Sequence, residues 1–429
     1  MKTILYPARE NWEELCERPG IKKAYLESAI RDILYRVSKE KDEALRYYCE
    51  KFDGYVPGSF KVTEKELTEA EKKIPVELRD AIKTAADNIR KFHSSQLAEE
   101  PVIETMKGVR CWRKSKPVEK VGLYIPGGSA PLFSTLLMLG IPAKIAGCKT
   151  ISVCTPAGRD GNVNPIILYT ANYIGLKDVY RIGGPQAIGA MAYGTESIPR
   201  VYKIFGPGNQ YVTMAKQLVQ QEGIAIDMPA GPSEVLVVAD KNANASFVAS
   251  DLISQAEHGP DSQVLLLTDN KSIAERVIKE VEKQTAVLPR KELVEKSISN
   301  SSIIILRSLD ECMDFSNMYA PEHLVLNTAK PETEARKVVN AGSVFLGPFS
   351  CESMGDYASG TNHTLPTNSF ARNYSGVSTE SFMKKITFQE VSEEGIRLLG
   401  PAVELMAEAE MLLGHRNAVS LRLKKLSDD

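Results

Sequence analysis

The residues best suited to chemistry in this chain are its histidines, of which there are only five in 429 residues. His93 lies in a Lys-rich helical context and is expected to be a surface residue. The others, His258, His323, His363 and His415, lie in segments dense with polar and turn-forming residues, where site residues usually occur. Imidazole is both a common metal ligand and a general base near neutral pH. These four segments are therefore where a site is expected.

The segment before His258 offers a second polar ligand. Gln255 and His258 are three residues apart at the end of a predicted helix, so their side chains share one face. Gly259 and Pro260 end the helix and expose that face at a loop. An amide and an imidazole together are candidate metal ligands. The alternative is a helix cap in which His258 only complements the helix dipole.

Glu322 and His323 are adjacent at a predicted loop-to-strand junction. Neighbours in a strand point to opposite faces, but a turn can bring both into one pocket. Such a pair could act as a general base and a carboxylate that orients it or activates water. The alternative is a buried histidine that is hydrogen-bonded to the backbone.

Two further segments combine a carboxylate with an imidazole. The loop from Gly355 to Pro366 holds Asp356, a hard oxygen ligand, together with His363. Near the C-terminus, Glu410 and His415 flank a glycine break. A tail histidine would carry no functional meaning by itself.

Glycine turns follow several predicted strands and would let the backbone approach a ligand closely. They are Gly127-Gly128, Gly183-Gly184 and Gly206-Pro207-Gly208. A helix N-terminus after each turn would favour phosphate. Neither a G-x-G-x-x-G fingerprint nor a P-loop lysine motif occurs in the sequence, so these turns predict only a nucleotide site of unspecified type.

The elements that must position these residues alternate between strands and helices, which predicts an α/β fold with parallel sheets. Strands are predicted at 121–125, 150–154, 179–182 and 203–205, and then at 234–238, 264–267, 303–306, 323–326 and 343–346. Helices are predicted between them, as at 165–174, 245–257, 271–285 and 309–319. Residues 1 to about 100 are predicted to form a helical arm, and the chain is expected to become helical again from about Ile386.

Composition excludes several classes of protein. With 53 Lys and Arg against 55 Asp and Glu, the net charge of −2 argues against nucleic acid or a membrane surface as a partner. Seven scattered cysteines without a C-x-x-C pair argue against a disulfide scaffold or a thiolate zinc site. The N-terminus is too briefly apolar for a signal peptide, and no segment approaches the length that spans a bilayer. A cytoplasmic location is expected.

Taken together, the segments resemble the histidinol dehydrogenase family in the family's order over about three quarters of the chain. The matching stretches are Val121-Gly-Leu-Tyr-Ile-Pro-Gly-Gly-Ser-Ala-Pro-Leu, Phe205-Gly-Pro-Gly-Asn, Asp227-Met-Pro-Ala-Gly-Pro-Ser-Glu-Val, Ser254-Gln-Ala-Glu-His-Gly-Pro-Asp-Ser-Gln, Ala320-Pro-Glu-His-Leu, Gly355-Asp-Tyr-Ala-Ser-Gly-Thr-Asn-His and His415-Arg-Asn-Ala-Val. The N-terminal region contributes no motif.

The resemblance implies oxidation of L-histidinol to L-histidine through L-histidinal, with two NAD+ used in succession. It implies zinc held by Gln255, His258, Asp356 and His415, with His415 and Glu410 contributed across a homodimer interface. Glu322 and His323 match the catalytic pair. Besides the zinc ligands and the catalytic pair, the positions that match substrate contacts are Ser233, His363 and Glu410. The positions that match cofactor contacts are Tyr124, Gln186 and Asn209.

The family fold implies two incomplete Rossmann-like parallel-sheet domains, at residues 119–236 and 237–378. A helical region at 1–118 is expected to pack with the second of them, and a helical segment at 379–429 to serve dimerisation. Pro185, Cys351 and Met354 depart from the usual family residues. Two alternative functions are open. A zinc hydrolase would use the same metal residues and a Glu-activated water. The other is a non-catalytic nucleotide-binding or structural protein, against which the intact polar residues of the motifs argue.

Overall fold

The computed structural model describes residues 1–18, 23–127, 131–229 and 231–428. Gly128 of the first predicted glycine turn lies outside the described residues, as do Ser129 and Ala230 of the family motifs. The chain forms two compact units, Met1–Gln96 with Glu119–Phe382, and Leu97–Val118 with Met383–Asp429. The division into four domains stays a prediction.

The strands are numbered along the chain. They are β1 (Lys2–Leu5), β2 (Ile103–Met106), β3 (Val109–Pro117), β4 (Lys120–Tyr124), β5 (Thr150–Thr155), β6 (Val179–Arg181), β7 (Lys203–Phe205), β8 (Ala225–Ile226), β9 (Glu234–Ala239), β10 (Gln263–Thr268), β11 (Ser302–Ile305), β12 (His323–Asn327), β13 (Ser343–Leu346) and β14 (Met383–Val391).

The helices are numbered in the same way. They are α1 (Trp12–Leu15), α2 (Lys23–Glu40), α3 (Asp42–Tyr48), α4 (Glu64–Glu69), α5 (Val76–Ser94), α6 (Phe133–Ala146), α7 (Pro165–Tyr173), α8 (Gly184–Tyr193), α9 (Gln210–Gln221), α10 (Ala245–Ala256), α11 (Lys271–Thr285), α12 (Lys291–Ser299), α13 (Leu309–Tyr319), α14 (Pro331–Ala335), α15 (Glu352–Tyr357), α16 (Glu393–Ala409) and α17 (Leu413–Asp428).

A five-stranded parallel sheet is built from the first run of alternating elements, in the order β6-β5-β4-β7-β8. The chain starts in the middle at β4, adds β5 and β6 on one side, and then crosses to add β7 and β8 on the other. The crossing leaves a crevice beyond the carboxyl ends of β4 and β7, where such sheets bind ligands. The predicted strands and the α/β fold class are confirmed here.

A six-stranded parallel sheet repeats this order in the second half of the larger unit, as β1-β11-β10-β9-β12-β13. Every residue of β9, β10 and β12 is buried, as expected for strands covered on both faces. Its additional edge strand is β1, which pairs in parallel with β11. A strand this close to the N-terminus was not predicted, because only Ile4 of its four residues is even partly buried and no alternation is visible.

The N-terminal region divides its contacts between the two sheets. In α2, Ile30, Leu34 and Val37 belong to one core cluster with Ile188 and Met191 of α8. Helices α4 and α5 contact α7 and α6 of the same half. The segment before α2 instead joins the second sheet through β1 and through Trp12, which packs in a core cluster with β9, β10 and β12.

The smaller unit contains an antiparallel sheet, β14-β3-β2, followed by the helices α16 and α17. The terminal helices are confirmed, but the expectation of helix from about Ile386 is wrong, since that residue lies within β14. Ile386 and Phe388 are two residues apart and share one face of the strand, where Phe388 stacks on Trp112 at 5.6 Å between ring centroids. The surrounding Lys and Glu residues obscured this short alternation.

All seven cysteines are free thiols, in agreement with the prediction that no disulfide scaffold exists. Among the helices of the described residues, none combines the length and apolar character needed to cross a bilayer.

Candidate active site

The Glu322–His323 pair lies at the amino end of β12, beside the start of β9. Ala320 ends α13 with a left-handed φ of 52°, and the turn that follows brings Glu322 to the start of the strand. A single residue of β9 then holds both side chains: the Glu234 N–H donates to Glu322 Oε2 at 2.8 Å, and His323 Nδ1 donates to the Glu234 carbonyl at 3.1 Å. In the neutral form of His323, the proton is therefore on Nδ1 and Nε2 is unprotonated.

Three carboxylates surround the His323 ring. Asp356 Oδ1 is 3.5 Å from Nε2, while Glu322 Oε2 and Glu352 Oε1 are 3.6 and 3.8 Å from Nδ1. Burial opposes the charged imidazole, but these carboxylates outweigh it and raise the pKa of His323 well above its ordinary value. Burial also raises the pKa of Glu322 to about 8. Both shifts favour the protonated forms, and a cation bound beside the carboxylates would oppose them.

A second cluster adjoins His323 and has the composition of a cation site. Ligand atoms of His258, Glu352 and Asp356 all lie within 4.8 Å of one another. Gln255 is buried in the last turn of α10, three residues before His258. The predicted ligands Gln255, His258 and Asp356 therefore come from α10, the turn after it and α15.

Unsatisfied acceptors in this cluster fit a bound cation. Gln255 Oε1, Asp356 Oδ1 and both carboxylate oxygens of Glu352 are buried, and none has a hydrogen-bond donor among the described residues. Leaving such atoms unpaired away from water is costly, and a divalent cation would satisfy several of them together. The donor set is one imidazole, one amide and two carboxylates without thiolate, which suits zinc or another borderline divalent metal.

Glu352 was not predicted as a site residue. Its carboxylate is buried and lies one helical turn before Asp356, on the same face of α15. Burial raises the pKa of Glu352 well above its usual range. The only sequence signal was this spacing of four residues between two carboxylates, which is too common on exposed helices to single out a site.

His363 contacts the candidate cation site through the backbone of Asp356. Its Nδ1 donates to the Asp356 carbonyl at 3.0 Å, and its Nε2 is 2.9 Å from Thr135 Oγ1 on α6. Burial lowers the pKa of His363, which favours the neutral ring, and Nε2 of that ring accepts from the Thr135 hydroxyl. His363 therefore fixes the position of Asp356 in addition to any contact with a ligand.

Two cavities adjoin these residues. One, of about 600 Å³, is lined by Ser233, His258, Glu322 and His363. The other, of about 1150 Å³, lies at the carboxyl edge of the five-stranded sheet and is lined by Tyr124 and Gln186 among others. Asn209 lines both cavities. Four of the predicted substrate residues thus line one cavity, two of the predicted cofactor residues line the other, and Asn209 lies on the wall of both.

The glycine turns line both cavities, Gly183 and Gly184 the larger one and Gly206 and Gly208 the smaller one. Tyr124 Oη accepts a hydrogen bond from the Gly184 N–H at 3.1 Å, which ties β4 to the start of α8. Gly206 has a φ of 126°, and a Cβ there would collide with the Tyr124 carbonyl oxygen. The Asn209 side-chain oxygen caps α9 by accepting from the Tyr211 and Val212 N–H groups at 3.0 and 3.1 Å.

Two predicted site residues, Glu410 and His415, belong to the smaller unit, where both are exposed around the break between α16 and α17. Their contribution to the site stays a prediction. The expectation that His93 is a surface residue is wrong. It is fully buried near the end of α5, where its Nδ1 is 3.1 Å from Gln96 Oε1, because the apolar stripe of this helix extends to that position.

Comparison with known proteins identifies the family. The sequence profile of histidinol dehydrogenase matches residues 16–423. Histidinol dehydrogenase from Bacteroides thetaiotaomicron is 54% identical over 426 residues, which cover 99% of this chain and all of that protein. The Campylobacter jejuni enzyme is 50% identical and covers 96% of each chain. The chain belongs to the histidinol dehydrogenase family.

Similarity in structure agrees with this membership. The crystal structure of histidinol dehydrogenase from Elizabethkingia anophelis superimposes with a TM-score of 0.98 at 56% identity, covering 100% of this chain and 99% of that one. The histidinol dehydrogenase family catalyses the final NAD-dependent oxidation of histidinol to histidine in histidine biosynthesis. The resemblance inferred from the motifs is confirmed.

Proposed function

We propose that this chain oxidises L-histidinol to L-histidinal and then to L-histidine at one zinc-containing site, with two molecules of NAD+ used in succession. The observation that carries the proposal is the group of unsatisfied acceptors around His258 and Asp356, directly beside the Glu322–His323 pair. A cation site beside a proton acceptor suits the oxidation of an amino alcohol, because the cation can bind the amine while the base takes the hydroxyl proton.

We infer that Gln255, His258 and Asp356 hold the metal, together with the partner subunit's His415 in a homodimer. Bound zinc would act as a Lewis acid and template for the imidazole and amine of histidinol. The orphaned oxygens of Gln255 and Asp356 support this ligand set. Glu352 lies in the same cluster, and a bound cation would favour its ionised form.

His323 is the base for the alcohol step. Its Nε2 has no hydrogen-bond donor among the described residues, while Nδ1 is anchored to the Glu234 carbonyl. It accepts the hydroxyl proton as hydride leaves the carbinol carbon. Glu322 then accepts a proton from the water that adds to the aldehyde. Once His323 has passed its first proton to solvent, it removes the last hydroxyl proton at the second oxidation.

Substrate and cofactor bind in the two adjoining cavities. Ser233, His363 and the partner subunit's Glu410 are the proposed additional substrate contacts. Tyr124, Gln186 and Asn209 are the proposed contacts to NAD+, which accepts the hydride in each oxidation. The position of Asn209 on both cavity walls supports a short path between the substrate carbon and the cofactor.

The proposal extends to assembly and location. The C-terminal helices are the proposed dimerisation segment, and exposed apolar side chains on them, such as Leu405, Met406 and Leu413, support such a contact. We place the enzyme in the cytoplasm, in keeping with its seven free thiols.

The test combines metal analysis with an assay. Protein purified without chelator is expected to contain about one zinc per chain and to form NADH from histidinol and NAD+. Protein that is loaded with zinc and folded but forms no NADH from histidinol would contradict the proposal.

A further inference from the structure

Arg18 and Glu234 form a buried ion pair beside the catalytic residues. Two parallel hydrogen bonds join them, from Nε to Oε1 and from Nη2 to Oε2, both at 3.0 Å. The side chains are only 9% and 2% exposed. Arg18 belongs to the N-terminal segment, which contributed no sequence motif. A desolvated bidentate pair of this kind is costly unless its geometry is well satisfied.

All five N–H donors of Arg18 are used within the protein. Besides the two bonds to Glu234, Nη1 donates to the Cys16 carbonyl at 2.9 Å and to Ser369 Oγ at 2.6 Å. Nη2 also donates to the Tyr319 carbonyl at 2.7 Å, and the guanidinium lies 3.6 Å from the Tyr319 ring centroid. Although Arg18 lines the smaller cavity, it has no donor left for a substrate.

Glu234 connects the ion pair with Arg18 to the catalytic pair. Its Oε1 also accepts from the Asn368 N–H at 2.8 Å, so its side chain is held from two sides. Its own N–H and carbonyl are the partners of Glu322 Oε2 and His323 Nδ1. A shift of the Glu234 backbone would move both catalytic side chains together.

We propose that Arg18 and Glu234 are positioning residues for the catalytic pair: the guanidinium locks the Glu234 side chain, and the Glu234 backbone sets the orientation of Glu322 and of the His323 ring. This inference rests on the roles proposed above for Glu322 and His323. It predicts an effect on turnover and none on metal or ligand binding, because neither residue has a free polar group facing a ligand.

The experiment measures kcat, both KM values and zinc content for Arg18→Met, Arg18→Lys and native enzyme. Arg18→Met is expected to lower kcat about 100-fold, the usual scale for a misplacement of about 1 Å, with both KM values within about threefold of native. Zinc content is expected to be unchanged. Added guanidinium ion, at concentrations that leave the native enzyme active, should restore part of kcat, and Arg18→Lys should lie between the two. Arg31→Met is the matched control, because Arg31 pairs with Glu27 on the exposed face of α2.

A second variant keeps the proposal testable if Arg18→Met does not fold. The double variant Arg18→Met with Glu234→Gln leaves no unpaired buried charge and is expected to fold, with kcat lowered by a similar factor. Native-like kcat in a folded variant would overturn the proposal. So would a rise in KM alone, or a loss of activity that only follows loss of zinc. If the native enzyme itself does not oxidise histidinol, the proposed function fails instead.

Discussion

The buried pair Lys216–Asp227 supports the turn between the two cavities, and its removal gives a quantitative prediction. The side chains are 5% and 1% exposed. Asp227 Oδ2 accepts from the Gly206 N–H at 2.8 Å and Oδ1 from the Met228 N–H at 2.7 Å, while Lys216 Nζ donates to the Gly206 carbonyl at 2.8 Å. The pair therefore fixes both polar backbone groups of Gly206.

Asp227→Ala would leave the Lys216 ammonium buried without its counter-charge and two backbone N–H groups without their acceptor. Breaking a buried ion pair from one side costs about 3–5 kcal/mol. The double variant Lys216→Met with Asp227→Ala removes the uncompensated charge, so it is expected to be less destabilised than Asp227→Ala alone, despite carrying one more substitution. Asp178→Ala is the matched control, because the Lys61–Asp178 pair is 52% and 39% exposed and should contribute at most about 1 kcal/mol.

Urea unfolding followed by fluorescence would give the stabilities, and hydrogen exchange of peptides containing Gly206 and Met228 would localise the effect. Faster exchange in these peptides and a raised KM for NAD+ are expected in Asp227→Ala, since the turn carries Asn209. An Asp227→Ala cost below about 1 kcal/mol, or a double variant destabilised more than Asp227→Ala alone, would refute the reasoning.

Four further predictions concern the site. His258→Ala should lower zinc content, whereas His323→Ala should retain zinc and lose turnover, by about 10³-fold for a lost general base; metal analysis beside kcat separates them, and a zinc-free His323→Ala protein would contradict the assignment. Glu322→Gln should slow oxidation of supplied histidinal more than that of histidinol, which steady-state rates with each substrate measure. Mixing inactive His415→Ala and His323→Ala subunits should restore partial activity, because one site of the mixed dimer is complete; no recovery after verified exchange would count against a shared site. Burial raises the pKa of Asp251 from 3.8 to about 7, so the native protein loses stability as pH rises between these two values and the buried carboxyl ionises. The free energy of unfolding of Asp251→Asn, relative to that of the native protein, should therefore increase by on the order of 1 kcal/mol per pH unit over this range. A difference between the two proteins that does not change with pH would contradict this prediction.

Much of the fold was predictable because its strands are buried on both faces. Such strands appear as short apolar runs, and β4, β9 and β12 were all predicted from this pattern. The edge strand β1 and the exposed strand β14 lack that signal, since none of their residues is buried. Their pairing depends on partners that are distant in the sequence.

The site was predictable where its residues share a local motif and not where they come from separate elements. Gln255 and His258 were found from their helical spacing, and Glu322 and His323 from adjacency. Arg18 reaches Glu234 across 216 positions of sequence, so no local pattern could connect them. The rule that ligands bind at carboxyl ends of parallel strands predicts the proposed cofactor cavity. It does not predict the position of the proposed catalytic pair, which lies at the amino ends of β9 and β12.

The most direct test of the central claim, that one site carries out both oxidations, is the ratio of products from limiting histidinol. Zinc-loaded enzyme with excess NAD+ is predicted to form two NADH per histidinol, with L-histidine as the product and no free histidinal captured by an added carbonyl reagent. A ratio of one NADH per histidinol with histidinal released, or NADH formation that survives in His323→Ala, would contradict it.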